Sequence, residues 1–383
     1  MERRIYYNCH THIFNVHVIP ENVLGNTVGY VLRALRFPQT DRSILALLGL
    51  VGIFSDNGNI ERIKMFFREF VKGGQIGVAQ HLINEYKAFL PEQYFRFVVL
   101  TQDMDCNGVE KPEVDIKGQI MAVSEIRCRN YSHISEEILP FVGINPFGYK
   151  SSEELLAFVK ECIEERRFCG IKIYPASGYF ADDEKLFPLW KYCNDKKIPI
   201  MTHCTCGPIY YRGNLAQRLN GKVKYPELSY NKVGQANFTD MDYFVKVLAE
   251  YKELKICFGH CGGLPEVRAY QFSANRRVGE IQNQWYEKLK LMTHEYPNVY
   301  CDISFLNTNK AKLEKVYKDY NACNLNPDRL LYGTDFFVNK HKTHEMDAYN
   351  RSKDFFDMDK ICSANPSRYL TSDVYNAPEF INT

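Results

Sequence analysis

The sequence has no excess of charge of either sign. Its 48 Lys and Arg stand against 46 Asp and Glu, a formal net charge of +2. That balance gives no electrostatic reason to expect nucleic acid, a membrane surface or another polyanion as partner. Long apolar runs are also missing. The longest, ILALLGLVGIF at 44–54, is too short to span a bilayer and suits a buried helix or a cap over a pocket. The chain opens MERRIYYNCHTH, with no apolar leader, so a reducing, cytoplasmic setting is expected. The 13 cysteines are odd in number and often sit inside apolar runs, as at Cys9, Cys128, Cys169, Cys257 and Cys301. They read as small core residues. Internal repeats, low-complexity tracts and linker-like stretches are lacking too, so residues 1–383 are expected to form one domain with insertions.

What the sequence does have is a recurring alternation. Short apolar, β-rich runs occur at 4–10, 94–100, 138–146, 169–175, 198–203, 254–260, 298–304 and 329–335. Most lack a polar alternate face, as strands buried on both faces do. Helix-like stretches lie between them, at 151–168, 182–195, 240–254 and 277–296. The first of these has Ser152 three residues before Leu155, with Glu153 and Glu154 in the first turn, good chemistry for a helix start. Strands alternating with helices predict parallel βαβ units, and eight such units predict an α/β fold, the (β/α)8 TIM barrel. Two connections exceed ordinary loops: 13–93 after the first strand and 204–239 after the fifth. Both are expected to lie over the C-terminal face of the barrel, where active sites are built.

Several residues suited to metal binding coincide with predicted strand ends. His10 and His12 leave the first strand at a spacing that puts both side chains on one side. Alone, such a pair is weak, since two polar residues leaving a strand explain it equally. His203 ends the fifth run, His260 the sixth and Asp335 the eighth. Polar groups at strand C-termini are where this fold places catalysis, and imidazole and carboxylate suit zinc and related divalent ions.

In order along the chain, CHTH, GIKIYP, MTHC, FGHCGG, YGTD and NPSRYL form a set that resembles the amidohydrolase superfamily. The likeness is greatest to its amidohydrolase-related branch, which includes aminocarboxymuconate-semialdehyde decarboxylase, and it runs from residue 9 to about 370. The resemblance implies a distorted barrel with a metal at the strand C-termini. It implies His10, His12, His203 and Asp335 as ligands of a divalent ion, zinc or manganese, and a catalytic role for His260 and Asp335. Lys172, on the fourth strand, has three readings: a carboxylated bridge between two ions, a substrate contact beside a single ion, or a buried lysine paired for structure. A single ion is the expectation.

Other positions are weaker. Cys9, Cys204, Cys206 and Cys261 flank the histidines and could ligate, but the His and Asp set already completes a site and core filling explains them. Tyr210, Tyr211 and Arg212 follow His203 and are candidate substrate contacts, Arg212 for a carboxylate; Arg33 and Arg36 share that status. His341 and His344 read as loop residues. Asn365, Pro366 and Arg368 read as structural, ending the last helix against the barrel. The expected activity is hydrolysis of an amide, lactam or lactone of a small molecule by metal-activated water. Asp335 would shuttle the proton, and His260 would polarise the carbonyl. The alternative is non-oxidative decarboxylation of an unsaturated or aromatic acid at the same site. A homo-oligomer is compatible with all of this.

Overall fold

A computed structural model describes residues 2–14, 16–20, 74–108, 110–128, 134–207, 209–264 and 273–382. The apolar run at 44–54, Arg33 and Arg36 lie outside them. Eight parallel strands follow the eight apolar runs: β1 Glu2–Thr11, β2 Tyr94–Leu100, β3 Ile138–Ile144, β4 Gly170–Ile173, β5 Ile200–Thr202, β6 Ile256–Phe258, β7 Val299–Asp302 and β8 Leu330–Leu331. They pair in sequence order. The seam between β8 and β1 closes through Cys9 N–H to Tyr332 O, Asp335 N–H to His10 O and His12 N–H to Phe336 O. A parallel bridge from Thr11 to Phe336 completes it. The result is a distorted (β/α)8 TIM barrel. One strand was not anticipated: β9, Phe380–Asn382, pairs antiparallel with the start of β1.

The absence of polar alternation has a direct cause. Successive strand residues feed two apolar layers. Ile5, Tyr7, Leu100, Phe141, Met201, Cys257, Tyr300 and Leu331 fill the barrel interior with Tyr369 and Leu370. Their neighbours Phe97, Val142, Ile171, Ile200, Phe258 and Leu330 face the surrounding helices. Each strand is therefore buried on both faces.

The helices around the barrel are α1 Gly74–Phe89, α2 Ile116–Cys128, α3 Ser152–Lys160, α4 Phe187–Lys196, α5 Leu215–Leu219, α6 Tyr230–Thr239, α7 Met241–Glu250, α8 Ser273–Glu295, α9 Lys310–Asn321, α10 Glu345–Lys353 and α11 Asn365–Leu370. Helix α3 starts as its acidic first turn predicts, but the cap is Ser151, one residue before the Ser152 expected. The Ser151 hydroxyl accepts from Glu154 N–H, and Lys150 N–H donates back to the Glu154 carboxylate, a reciprocal cap that satisfies otherwise orphan donors. The insertion after β5 carries two extra helices, α5 and α6. Of the insertion after β1, helix α1 is described. Among the described residues no helix is long and apolar enough to cross a membrane. The closing motif is structural: Asn365 Nδ2 donates to Leu330 O and Pro327 O, and Arg368 donates to Asn365 Oδ1.

Candidate metal centre

Which way the two histidines of β1 face is decided by a bulge. Asn8 pairs with Phe97 and Thr11 with Val99, so three steps on β1 oppose two on β2. Up to Cys9 the odd residues point into the barrel, and strict alternation would turn His10 and His12 outward. The extra residue reverses the parity and aims both imidazoles inward. Asn8 pins the bulge from the outer side. Its Oδ1 accepts from His10 N–H at 3.3 Å and from Thr334 N–H at 3.2 Å. Its Nδ2 donates to the Tyr86 and Thr334 hydroxyls at 2.9 and 2.8 Å.

Room for the rings comes from glycines. A Cβ on Gly333 would lie 2.8 Å from His10 Cβ, and one on Gly259 would lie 3.1 Å from His10 Cε1. Beyond the strand ends the backbone turns into the left-handed region at His260 (φ 59°), Cys261 (φ 45°) and Asp335 (φ 63°). Non-glycine residues enter this region at a cost of roughly 1–3 kcal/mol each, and it clusters at functional sites. The sequence reading placed His260 and Asp335 at strand termini. Both instead lie beyond them, two residues past β6 and four past β8.

The hydrogen bonds fix how the imidazoles are protonated. His12 Nδ1 faces Leu100 O at 3.1 Å, and a carbonyl can only accept, so Nδ1 carries the hydrogen. His10 Nδ1 donates to Asp302 Oδ2 at 2.8 Å. His260 Nδ1 faces the Ser304 carbonyl at 3.1 Å and is likewise the donor. The neutral His260 ring then has a lone pair at Nε2, which lies 3.3 Å from His203 Nδ1, so His203 also donates from Nδ1. Four imidazoles are thus held in one tautomer; the His260 Nε2 lone pair faces His203 Nδ1, and those of His10 and His203 have no partner.

Those lone pairs meet a carboxylate. Asp335 Oδ1 lies 3.3 Å from His12 Nε2 and 3.7 Å from His10 Nε2. Ligand atoms of His10, His12 and Asp335 fall within 4.8 Å of one another. His10 Nε2, His203 Nε2 and Lys172 Nζ are buried without a hydrogen-bond partner. The imidazole lone pairs and the Asp335 carboxylate are acceptors only, an arrangement that is unfavourable when buried unless a cation completes it, and neutral imidazoles with a carboxylate are the donors that divalent ions take. The residues fit a divalent metal. The electrostatics agree. Burial, with Lys172 nearby, lowers the His10 pKa from 6.5 to about 4 against the pull of Asp302. Burial, then His260 and Lys172, holds His203 well below its ordinary value. Burial opposes ionisation of Asp335, but the neighbouring imidazoles of His12, His260 and His10 outweigh it and lower its carboxyl to about 2.

A second group, His10, His260 and Asp302, also lies within 4.8 Å. Its chemistry differs, because Asp302 is already surrounded by donors. His10 Nδ1, His260 N–H and Ser304 N–H reach it at 2.8, 2.9 and 3.0 Å, and the Ser304 hydroxyl makes a further short contact. The sequence reading passed over Asp302 and Ser304. The available signal was the one used for Asp335: polar residues closing the apolar run NVYCDIS.

His203 belongs to neither group. Its ring stacks on Tyr174 with centroids 4.0 Å apart and contacts His260 edge-on. A Cβ on Gly207 would lie 2.9 Å from its Nε2, so the start of the insertion wraps this ring. Further along, Tyr211 N–H donates to Ala176 O and Arg212 N–H to Asn107 O, tying the segment to the loops after β4 and β2. The Tyr211 ring packs on Gly178, and the Arg212 guanidinium lies over the Tyr210 ring and donates to its hydroxyl. Lys172 lies inside the barrel. Burial lowers its pKa from 10.5 to about 8, opposed by Asp335 and Asp302. Of the flanking cysteines, Cys261 donates to Asp302 O at 3.1 Å. Cys9, Cys204 and Cys206 are buried and, among the described residues, join neither group.

Residues 146–370, more than half of the chain, match the model of the amidohydrolase family. Among solved structures, an amidohydrolase from Burkholderia multivorans is 10% identical, with 97% of each chain covered and a TM-score of 0.51. A 4-oxalomesaconate hydratase from Rhodopseudomonas palustris is 13% identical, with 95% of each chain covered and a TM-score of 0.50. A 2,6-dihydroxybenzoate decarboxylase from Rhizobium is 14% identical, covering 97% of this chain and 99% of its own, with a TM-score of 0.46. At such identities the likeness is one of fold. No curated protein matches the chain. With a metal-binding His/His/Asp site at the C-terminal end of a TIM barrel, and with the family model spanning most of that barrel, the chain belongs to the amidohydrolase family.

Proposed function

We propose that this chain hydrolyses an amide, lactam or lactone bond of a small molecule, using one divalent ion, zinc or manganese, held by His10, His12, His203 and Asp335. The observation that carries the reading is the convergence of uncovered lone pairs and one carboxylate at the end of β1 and β8. A divalent ion supplies Lewis acidity there, which lowers the pKa of water and polarises a carbonyl.

The chain's own groups divide the proton work. Asp335 is ionised at neutral pH and can accept a proton from water and pass it to the leaving group. The tautomer of His260 alters the part first expected of it. With Nδ1 donating to Ser304, neutral His260 has no hydrogen at Nε2 to polarise a carbonyl. Its Nε2 lone pair faces His203 Nδ1, so His260 would orient His203 rather than polarise the substrate. An ionised carboxylate among the residues that would hold the metal suits the activation of water. Decarboxylation makes the opposite first demand, a proton delivered to carbon. In this reading Tyr210, Tyr211 and Arg212, on the insertion that wraps His203, would contact the substrate, and Lys172 would contact it from inside the barrel.

The test is a panel of lactones, lactams, amides and aromatic acids, run with the zinc-loaded protein in ¹⁸O-labelled water. The expected result is solvent oxygen in the product acid. Stoichiometric CO₂ without oxygen incorporation would reject hydrolysis and assign decarboxylation to the same metal site.

A further inference from the structure

The end of β7 holds a carboxylate with no oxygen to spare. Asp302 is fully buried. Its Oδ1 accepts from His260 N–H at 2.9 Å, from Ser304 N–H at 3.0 Å and from the Ser304 hydroxyl. Its Oδ2 accepts from His10 Nδ1 at 2.8 Å. Three donors converge on one oxygen, and the imidazole and the more distant Cys257 thiol, at 3.9 Å, on the other. The two oxygens are therefore not equivalent, although the group is symmetric.

That asymmetry has a consequence for His10. An imidazole can offer a lone pair to a cation from Nε2 only while its hydrogen sits on Nδ1, and a carboxylate behind the ring is the usual device that keeps it there. We propose that Asp302 is a positioning residue that fixes His10 in the Nδ1–H tautomer, so that the His10 Nε2 lone pair is presented toward His12 and Asp335. This rests on the reading of His10 as a metal ligand. Asp302 itself does not ligate, because its acceptor capacity is taken up by these donors.

An isosteric substitution at Asp302 is therefore severe. In Asp302→Asn the amide oxygen must take the position of Oδ1, where three donors meet, because an NH₂ there would face all of them. The NH₂ then takes the position of Oδ2 and points at His10 Nδ1. Two N–H groups cannot face each other at 2.8 Å, so the ring proton moves to Nε2 and covers the lone pair. Nothing changes in size, so a purely structural role for Asp302 predicts a far smaller effect. Ser304→Ala removes one of the three donors on Oδ1, a hydroxyl that also lies 3.1 Å from His10 Nδ1 and 2.9 Å from His260 Nδ1, and keeps the Asp302–His10 contact, so it separates the part of Asp302 from that of Ser304.

The experiment uses the full chain, stripped with chelator and titrated with zinc alone, together with ¹⁵N-histidine NMR of the metal-free protein to read tautomers. In the wild type, His10 should carry its proton on Nδ1. In Asp302→Asn it should carry it on Nε2, and zinc affinity should fall by about 10–100-fold or more. Ser304→Ala should keep both the His10 tautomer and the zinc affinity. Wild-type His10 protonated on Nε2, or Asp302→Asn binding zinc within about 2-fold of wild type, would overturn the proposal. If Asp302→Asn does not fold, the wild-type spectrum alone decides. A wild type that binds no zinc but shows His10 as Nδ1–H would reject the metal reading and leave the role of Asp302 intact.

Discussion

His10 carries a pH signature that can be worked out from its surroundings. Its pKa falls from an ordinary 6.5 to about 4 because burial disfavours the imidazolium. Between those two values the unfolded chain binds a proton that the folded chain does not. Stability of the metal-free protein therefore rises with pH across that window. It should be complete above about pH 6.5 and be lost as pH falls toward 4. The shift corresponds to about 3 kcal/mol, and His203, lowered for the same reason, adds in the same direction. Asp302 and Asp335 act elsewhere. Both are held below the ordinary 3.8 despite burial, so their contribution is present above about pH 4 and is lost only below it. Urea unfolding of chelated protein from pH 7 to 4 should show a steady loss of stability. A flat profile would mean that these histidines are not buried as neutral rings.

At the scale of elements, the device that makes the site is the bulge in β1, and its pin is Asn8. Asn8→Ala would leave the amides of His10 and Thr334 buried without that acceptor, a cost of about 1–3 kcal/mol, and would free the strand to return to plain alternation. The expected outcome is a lower melting temperature together with at least a 10-fold loss of zinc affinity, read by calorimetry. Unchanged affinity would show that the parity of β1 is held by something other than Asn8. This is also where sequence legibility ran out. All eight barrel strands were readable, because burial on both faces leaves continuous apolar runs even where the paired segment shrinks to Ile200–Thr202 or Leu330–Leu331. The spacing of His10 and His12 predicted a shared side, but not which side, since that depends on one unpaired residue against β2. Helix α9, KAKLEKVYKDYN, was passed over because it buries only Leu313 and Val316. Asp302 and Ser304 close an apolar run as Asp335 does, but they act on His10 and His260, and residue type alone does not separate such a role from that of a metal ligand.

For the whole molecule, the barrel supplies rigidity and the insertion after β5 supplies the surroundings of the site. Interior and outer apolar layers fix the strand ends, and from those ends come His10, His203, His260, Asp302 and Asp335. Around His203 the insertion is anchored on several sides. Gln282 of α8 donates to Thr205, Lys232 of α6 donates to Cys206 O, and the backbone of Tyr211 is bonded to Ala176. In this fold substrate choice generally belongs to such segments, whereas the catalytic groups come from the strand ends of the barrel. The central claim is that one ion sits among His10, His12 and Asp335, with His203 completing it, and that Asp302 stays outside. The most direct measurement is anomalous diffraction from crystals of the zinc-loaded protein at the zinc absorption edge. The account predicts one strong peak within bonding distance of His10 Nε2, His12 Nε2 and the Asp335 carboxylate. No peak there, or a peak on the Nδ1 side of His10 ligated by Asp302 with Asp335 left free, would contradict it.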